Sequence, residues 1–335
     1  MKAPRFWQDK GLFSTLMIPL SWLFWFASFA RAFITQPYRA SLPVMCVGNI
    51  TSGGTGKTPV SAQLARLAIK KGLSPVILSR GYGGTLSGPC FVDPNHHLAS
   101  HCGDEPLLLQ QIAPVVIARN RAEGAKFIES QKRFDVIIMD DGMQNPQLYK
   151  DKVILVFDGA IGIENGRILP AGPLRTGLFT GARQADLIIM NGADKTGLTA
   201  LLSQQFQQSG ADIITATLQA DETIPPIEKQ TPLYAFAGIG RPERFFNTLN
   251  EQGFFLTQTK AFGDHHPYSQ ADISGMIEAA RALSALLITT SKDWVRLSKA
   301  HQKHIAYLPV SLHISSLDHA KFEALLPPKS RARAR

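Results

Sequence analysis

A glycine-rich loop between an apolar segment and an amphipathic segment constrains the fold of this chain more than any other feature. Residues 44–50 read VMCVGNI, which predicts a short buried β-strand, and TSGGTGKTP follows directly. Beyond the loop, Val60, Leu64 and Leu67 recur at the spacing of one helix face. A strand, a glycine loop, Lys-Thr and a helix are together the parts of a phosphate-binding loop, or P-loop.

Each residue type in this loop suits the binding of phosphate. Glycines allow backbone N–H groups to converge on phosphate oxygens at the N-terminus of the helix. Lys57 is expected to reach the β- and γ-phosphates, and the Thr58 hydroxyl to bind Mg²⁺. The general pattern G-x-x-x-x-G-K-[ST] begins with glycine, but Thr51 occupies that position here. We expect nucleotide to bind at Thr51, Ser52, Gly53, Gly54, Thr55, Gly56, Lys57 and Thr58.

A second apolar segment ends in a pair of acidic residues. It reads VIIMD at residues 136–140, so Asp140 closes the predicted strand and Asp141 follows it. The carboxyl ends of neighbouring parallel strands lie at one edge of a sheet, which places Asp140 beside the P-loop. There it can hold Mg²⁺ directly or through water, while Asp141 either shares the metal or positions other groups. We therefore predict a metal site at Thr58, Asp140 and Asp141.

The remaining short apolar segments predict an α/β fold of the P-loop NTPase type, with a doubly wound, mostly parallel sheet and a second, smaller α/β domain. These segments cover residues 75–80, 115–118, 153–158, 187–190, 232–237 and 286–290. We place the domain boundary near residue 160. The predicted parts are an N-terminal apolar helix with its lead-in (1–40), a P-loop core (41–160), a second domain completing the substrate cleft (161–325) and a basic tail (326–335).

An uncharged stretch at residues 11–30 would form a helix about 30 Å long, roughly the hydrocarbon thickness of a bilayer. A full membrane span, a cleaved signal peptide and a buried helix are all compatible with such a stretch. Serine, threonine and Pro19 dilute it, however, and Trp22 and Trp25 belong to a residue type that prefers the membrane interface. We therefore favour a helix that associates with one leaflet, with basic residues on both sides contacting lipid phosphates.

Composition narrows the setting and the partner. Three cysteines among 335 residues are too few, and odd in number, for a secreted disulfide framework, which favours the cytoplasm. A net charge of +9 favours an anionic partner, either a phosphorylated substrate, anionic lipid or nucleic acid. The sequence has no aromatic–basic pattern of a nucleic-acid binder, so we expect no nucleic acid partner. No obligate protein partner is evident.

The order of eight segments resembles that of the tetraacyldisaccharide 4′-kinase family of lipid A biosynthesis. The segments are GNITSGGTGKTP, LSRGYGG, GDEPLLL, DDGMQNPQL, LPAGPLR, FAGIGRPERF, DHHPYS and TTSKDWVRL. The ordered set is far more specific than the P-loop alone. The resemblance implies a P-loop kinase that uses ATP and Mg²⁺ to phosphorylate the 4′-hydroxyl of a tetraacylated glucosamine disaccharide 1-phosphate. It also implies a location at the cytoplasmic face of the bacterial inner membrane, where the lipid substrate lies.

The same resemblance implies catalytic roles for three residues. Lys57 resembles the P-loop lysine, Asp104 in GDEP resembles a general base, and His265 in DHH resembles the histidine that works with this base. A sugar hydroxyl is a weak nucleophile, so a carboxylate within hydrogen-bond reach would accept its proton during phosphoryl transfer. Without the resemblance, Asp104 is equally well explained as a helix N-cap, and DHH as a polar loop or a metal site.

Arg80 and Arg121 are candidate contacts for substrate or nucleotide phosphate, with ordinary surface charge as the alternative. The family usually has arginine where this chain has Gly84, histidine at Asn145 and glutamate at Thr176. These departures remove possible secondary contacts to substrate or ATP. The alternative function is a membrane-associated P-loop switch or partition ATPase, which would share the N-terminal helix and the P-loop but would not explain GDEP and DHH.

Overall fold

A computed structural model describes residues 4–206, 211–221 and 226–328 of the chain. The described strands are β1 (Val44–Gly48), β2 (Pro75–Ser79), β3 (Cys90–Phe91), β4 (Val115–Ile117), β5 (Val136–Asp140), β6 (Lys152–Asp158), β7 (Leu187–Asn191), β8 (Asp212–Ala220), β9 (Pro232–Ala237), β10 (Phe255–Ala261), β11 (Leu286–Thr290), β12 (Ala306–Leu308) and β13 (Val310–Ile314). The predicted basic tail beyond residue 328 lies outside the described residues.

The described helices follow a short 3₁₀ turn at Arg5–Trp7. They are α1 (Leu12–Leu16), α2 (Ile18–Ile34), α3 (Lys57–Lys70), α4 (Ala99–Cys102), α5 (Asp104–Gln110), α6 (Arg121–Ser130), α7 (Leu178–Ala182), α8 (Leu198–Phe206), α9 (Pro242–Glu251), α10 (Gln270–Ala282), α11 (Ser291–Trp294), α12 (Lys299–Gln302) and α13 (Ser316–Ala324).

The strands form a nine-stranded sheet in the order β13-β8-β7-β6-β1-β5-β2-β4-β3 and a four-stranded sheet in the order β10-β9-β11-β12. Among the described strands of the larger sheet, only the edge strands β13 and β3 pair antiparallel with their neighbours. Strand β1 pairs with β5 on one side and β6 on the other, and Val47 lies opposite Asp140. The P-loop after β1 and the acidic pair after β5 therefore lie at the same edge, and the predicted fold class is confirmed.

Strand β1 is buried on both faces, as expected for a central parallel strand covered by helices. Its side chains alternate between two apolar clusters. Met45 and Val47 pack in a cluster that includes residues of α3, whereas Val44 and Cys46 pack with residues of α6. This packing fixes the end of β1, and with it the position of the P-loop.

The division between the two sheets does not fall near residue 160, where the sequence analysis placed the domain boundary. Strands β7, β8 and β13 all belong to the larger sheet, although the predicted second domain contained them. The smaller, wholly parallel sheet is built from strands between residues 232 and 308. The chain leaves the larger sheet after β8 and returns to it with β13. Sequence patterns missed this return because β13 is an edge strand whose burial alternates.

The apolar stretch at residues 11–30 forms two helices rather than one. Helix α1 ends before Met17, and Pro19 lies in the first turn of α2, where its missing N–H leaves no hydrogen bond unmade. None of the helices in the described ranges is both long enough and apolar enough to cross a bilayer.

The serines that dilute this stretch attach it to the larger domain. Ser14 Oγ donates to the carbonyl of Ala171 at 2.6 Å, and Ser21 Oγ to the carbonyl of Ile168 at 2.8 Å. Asn165 Nδ2 donates to Ser14 Oγ at 2.9 Å. Both serines are buried. Ser14 and Ser21 therefore attach α1 and α2 to the protein, whereas most apolar side chains of the two helices are exposed.

Candidate active site

The P-loop is shaped by glycines and fixed from the side by β7. Gly53 and Gly56 have φ values of +118° and +93°, a backbone conformation that glycine adopts at little cost. Asn191, the last residue of β7, donates from Nδ2 to the carbonyl of Thr55 at 3.0 Å. Within the described part of the chain, Thr55 Oγ1 is buried without a hydrogen-bond partner. A loop with a defined shape and a buried, unsatisfied hydroxyl is suited to a polar ligand.

Lys57 is the first residue of α3 and points towards the acidic pair. Its Nζ lies 3.6 Å from Asp141 Oδ1, and Arg175 Nη1 lies 3.4 Å from the same oxygen. Asp141 has a φ of +48°, an uncommon conformation for a residue other than glycine. Such local strain is found preferentially at functional sites. Arg175, in the GPLR segment, was not predicted as a site residue.

Asp140 is buried beneath the P-loop and accepts a hydrogen bond from Ser61 Oγ at 2.6 Å. Burial raises the pKa of Asp140 to about 7, and the negative charge of Glu105 contributes. A cation bound beside this carboxylate would offset both effects.

The donor set near the P-loop fits Mg²⁺. Considering only the residues that the structure describes, no three His, Cys, Asp or Glu side chains converge to form a metal site by themselves. Mg²⁺, however, usually takes one or two carboxylates and completes its shell with phosphate oxygens and water. Asp140, Asp141 and the buried hydroxyl of Thr58 provide such a partial set at the end of the P-loop.

A second group of polar residues joins the two sheets. His265 Nδ1 lies 3.3 Å from Asp104 Oδ2, and the guanidinium of Arg296 contacts the same oxygen through Nε, at 3.2 Å, and through Nη2. Asp104 begins α5 of the larger domain, whereas His265 and Arg296 belong to the smaller sheet's part of the chain. We call Asp104, His265 and Arg296 the base cluster. The prediction that Asp104 and His265 meet agrees with this geometry; Arg296 was not predicted.

Opposing effects set the charge of this cluster. Burial would raise the pKa of Asp104, but the hydrogen bond with His265 and the charges of Arg296 and Lys292 hold it below its usual range. The hydrogen bond with Asp104 raises the pKa of His265, against burial and the charge of Arg296. The backbone of His265 has a φ of +56°, so its position is fixed at a conformational cost of about 1 kcal/mol or more. Because its pKa is held below the usual range, the carboxylate of Asp104 is ionised at neutral pH.

A neighbouring ion pair links the base cluster to the P-loop. Lys292 Nζ lies 2.6 Å from Glu105 Oε1, which again joins the smaller unit to the start of α5. Burial would raise the pKa of Glu105, but the charge of Lys292 lowers it, and the charge of Lys57 acts in the same direction. Glu105 in turn raises the pKa of Asp140. The electrostatic fields of the P-loop, the acidic pair and the base cluster therefore overlap.

The two predicted anion-binding arginines occupy different environments. Arg80 follows β2 and is exposed, at the same edge of the sheet as the P-loop. Arg121 is buried at the start of α6, where burial lowers its pKa to about 10. Its Nη1 donates to the carbonyl of Ala118 at 2.5 Å, while its Nε is buried without a hydrogen-bond partner among the described residues. Ordinary surface charge therefore does not explain Arg121.

The structure explains one departure from the family pattern. A Cβ atom at Gly84 would lie 2.4 Å from the backbone oxygen of His101 and 2.8 Å from backbone atoms of Cys102. An arginine at this position would require either α4 or the loop that contains Gly84 to move. Gly84 is therefore a packing feature of this chain, and the loop conformation differs from one that could carry arginine.

The site residues that the sequence did not predict lie inside the segments that resemble the family. Arg296 and Lys292 belong to TTSKDWVRL, and Glu105 belongs to GDEP. Arg241 and Arg244, in FAGIGRPERF, pair with the buried Asp158 at 2.6 and 3.1 Å. Lys292 and Arg241 each follow a buried strand, which could have indicated a functional role. Their acidic partners, however, are distant in sequence, so the pairs themselves could not be predicted.

Comparison with known proteins identifies the family. The family model described as tetraacyldisaccharide-1-P 4′-kinase matches residues 13–330. The chain belongs to this family. A relative named tetraacyldisaccharide 4′-kinase from Methylobacterium nodulans is 42% identical over 341 residues, covering 99% of each chain. One of the same name from Parvibaculum lavamentivorans is 43% identical over 305 residues, covering 90% of this chain and 88% of the relative.

A solved structure shares the fold. The apo form of LpxK from Aquifex aeolicus in complex with ATP matches with a TM-score of 0.73, covering 94% of this chain and 99% of that one, at 23% identity. Membership of the family confirms the resemblance seen in the sequence, and the chain is a phosphotransferase. The alternative of a switch or partition ATPase has no support among these matches.

Proposed function

We propose that this phosphotransferase transfers the γ-phosphate of ATP to the 4′-hydroxyl of a tetraacylated glucosamine disaccharide 1-phosphate. Family membership and the P-loop support the reaction class and the nucleotide. The observation that carries the proposal is the base cluster, because a carboxylate from the larger domain meets a histidine from the smaller unit, next to Glu105, whose carboxylate interacts with the charge of the P-loop lysine. A P-loop protein that only hydrolyses or senses nucleotide has no sugar hydroxyl to deprotonate, so it does not require a carboxylate in this role.

The residues of the P-loop edge would hold the nucleotide for in-line transfer. Backbone N–H groups of residues 51–58 and the Nζ of Lys57 would bind the phosphates. Thr58, Asp140 and Asp141 would hold Mg²⁺, which when bound neutralises charge on the phosphate oxygens. Arg175 and Lys57, both close to Asp141, would keep that carboxylate in place. Arg80 and Arg121 are proposed to contribute positive charge for a phosphate group of nucleotide or substrate.

Asp104 would orient the 4′-hydroxyl and accept its proton as the bond to phosphorus forms. In a loose transition state the attacking oxygen needs little negative charge before bond formation, so an ionised carboxylate of low pKa can serve. His265, 3.3 Å away, would hold the carboxylate in position. Asp104 is buried at the start of α5, and the backbone N–H of His265 donates to the carbonyl of Gly238 at 3.0 Å, so both residues are held before substrate binds, which reduces the entropic cost of alignment.

The exposed apolar side chains of α1 and α2 support association with the cytoplasmic face of the inner membrane. Trp22 is 69% exposed and Phe33 is 82% exposed, and Leu23 and Phe26 are also exposed. A helix with many exposed aromatic and aliphatic side chains, and with basic residues at both ends, is typical of helices that lie in an interface. The helix would then bring the P-loop edge to a lipid substrate. We retain the prediction that neither nucleic acid nor an obligate protein partner takes part.

Phosphoryl transfer to the lipid tests this proposal directly. Purified protein with labelled ATP, Mg²⁺ and dispersed tetraacylated disaccharide 1-phosphate should yield a labelled lipid. Lys57→Ala serves as the inactive control, and single-stranded nucleic acid as an alternative acceptor. ATP hydrolysis that proceeds without labelling the lipid would contradict the proposed acceptor.

A further inference from the structure

We propose that Arg296 is a positioning residue of this site, whose guanidinium holds the Asp104 carboxylate and the His265 imidazole together and determines which of them carries the proton. The inference rests on the proposed function, in which Asp104 accepts that proton. It concerns a residue outside the P-loop, the acidic pair and the predicted Asp104–His265 pair.

Every nitrogen of the Arg296 guanidinium has a partner. Nε and Nη2 contact Asp104 Oδ2, and Nη2 also lies 3.2 Å from His265 Nδ1. Nη1 donates to the carbonyl of Gly238 and to Asp293 Oδ1, both at 2.9 Å. The side chains of Arg296 and Asp104 are only 8% and 7% exposed. A planar fork with this many fixed contacts has a single orientation.

The support for Arg296 comes from the smaller unit. Asp293 is fully buried, and its Oδ1 also accepts from the Tyr268 hydroxyl at 2.8 Å. Its Oδ2 accepts from Thr290 Oγ1 at 2.7 Å. The arginine is therefore held on the smaller unit and extends towards Asp104 on the larger domain. It connects the two parts of the chain at the atom that is proposed to accept the proton.

The ring nitrogen Nδ1 of His265 faces two competing partners. It lies 3.3 Å from Asp104 Oδ2 and 3.2 Å from Arg296 Nη2. A ring nitrogen carries either a lone pair or a proton. With a lone pair, Nδ1 accepts from Arg296; with a proton, it donates to Asp104. In addition, the positive charge of Arg296 disfavours the imidazolium and the negative charge of Asp104 favours it, so the balance between them depends on the guanidinium.

The other charges around the cluster do not replace Arg296. On its own helix, Asp104 is followed by Glu105, whose partner is Lys292 at 2.6 Å. The Nε2 of His265 faces Asp264 Oδ1 at 3.8 Å. The neighbouring Cys102 is a buried thiol with a raised pKa, chiefly because of burial, and carries no charge near neutral pH. Arg296 is thus the cation that contacts both members of the pair.

The test compares Arg296→Met, which removes the charge, with Arg296→Lys, which keeps it. The control is Tyr268→Phe, which removes a hydrogen bond to Asp293 from the same network without touching Asp104 or His265. NMR titration of His265 in the full chain, without substrate, reports the imidazole directly. In Arg296→Met we expect the pKa of His265 to rise by about one unit or more, because a neighbouring positive charge is lost. Arg296→Lys and Tyr268→Phe should leave it near the wild-type value.

Kinetics supply the second readout. Arg296→Met should lower kcat by up to about 10²-fold, the cost of misplacing a catalytic group, with little change in KM for ATP. The acid limb of its kcat profile should move to higher pH, because loss of the cation raises the pKa of Asp104 as well. In Arg296→Lys, the acid limb should lie at the same pH as in the wild type, although kcat can remain lower than in the wild type.

Two results would overturn the inference. One is an unchanged His265 titration in Arg296→Met. The other is an acid limb displaced equally in Tyr268→Phe, which would show a merely structural role. If Arg296→Met does not fold, a displaced titration in the charge-retaining Arg296→Lys would count against the proposal. A wild-type protein that fails to phosphorylate the lipid while the His265 titrations behave as expected would refute the proposed function and leave the role of Arg296 in the pair intact.

Discussion

The P-loop comes from one continuous stretch between β1 and α3, whereas the base cluster joins Asp104 to Arg296 across 192 residues of sequence. In the P-loop, the glycine conformations and the end of β1 position the phosphate-binding groups. The role of each residue follows from its place in the local sequence pattern. In the base cluster, the position of each group depends on how the smaller unit packs against α5. The first site therefore needs contacts within one sheet only, such as that from Asn191, whereas the second depends on the arrangement of two sheets.

The largest effect is expected at the P-loop edge. Lys57→Ala and Asp140→Ala should each lower phosphoryl transfer by about 10³-fold or more, because both act on charge that develops at the transferred phosphate. Initial rates with saturating ATP measure this loss, and circular dichroism checks that the variants fold. Near-normal turnover in folded variants would refute the P-loop assignment.

The base cluster should show a somewhat smaller loss. Asp104→Ala and His265→Ala should each lower kcat by roughly 10²–10⁴-fold, the usual range for loss of a general base. ATP affinity should change far less than kcat, since neither residue belongs to the phosphate-binding loop. Equilibrium binding of a fluorescent ATP analogue separates the two effects. A loss of nucleotide affinity as large as the loss of kcat would place both residues in the nucleotide site instead.

Changes to the exposed apolar side chains of α2 should weaken membrane binding, and with it the use of the lipid substrate, without affecting phosphoryl transfer itself. Replacing the exposed Leu23 and Phe26 by glutamate should weaken binding to anionic vesicles at least about tenfold, through lost apolar burial and charge repulsion. Vesicle co-sedimentation measures this change. Ser21→Ala is the matched control: it removes a buried contact to Ile168 and should lower stability while leaving vesicle binding unchanged. Equal vesicle binding by the double variant and the wild type would contradict the proposed membrane face.

The smallest effect concerns stability at acid pH. Asp104 has a lowered pKa in the folded chain, so its ion pairs contribute stability that is present above its unfolded pKa and is lost as pH falls. Below about pH 5 the wild type should lose stability more steeply than Asp104→Asn, which has no carboxylate to protonate. Thermal unfolding as a function of pH measures both slopes. Parallel curves for the two proteins would show that the ion pairs of Asp104 add no net stability.

The same contrast explains what the sequence could and could not predict. The central strands, the P-loop and the acidic pair were predictable because each is a local pattern of buried residues and turn residues. The cap of α10 is equally local, since Ser269 Oγ accepts from the backbone N–H of Asp272, three residues further along the chain. The ends of these elements agree with the structure to within a few residues.

Long-range pairing was not predictable from local patterns. The return of the chain to the larger sheet at β13, the pairing of Arg296 with Asp104, and the attachment of α1 by Ser14 all depend on tertiary contacts. Ser14 and Ser21 illustrate the point. They were interpreted as diluting a membrane segment, but their buried side chains donate hydrogen bonds that attach that segment to the protein.

The central claim is that Asp104 and His265, brought together from two sheets, act as one unit. A double-mutant cycle in kcat measures this coupling most directly. If the two residues act together, the Asp104→Ala/His265→Ala enzyme should be little slower than the slower single variant, since residues that act as a unit are non-additive. Losses that multiply fully in the double variant would show two independent roles and would contradict the account.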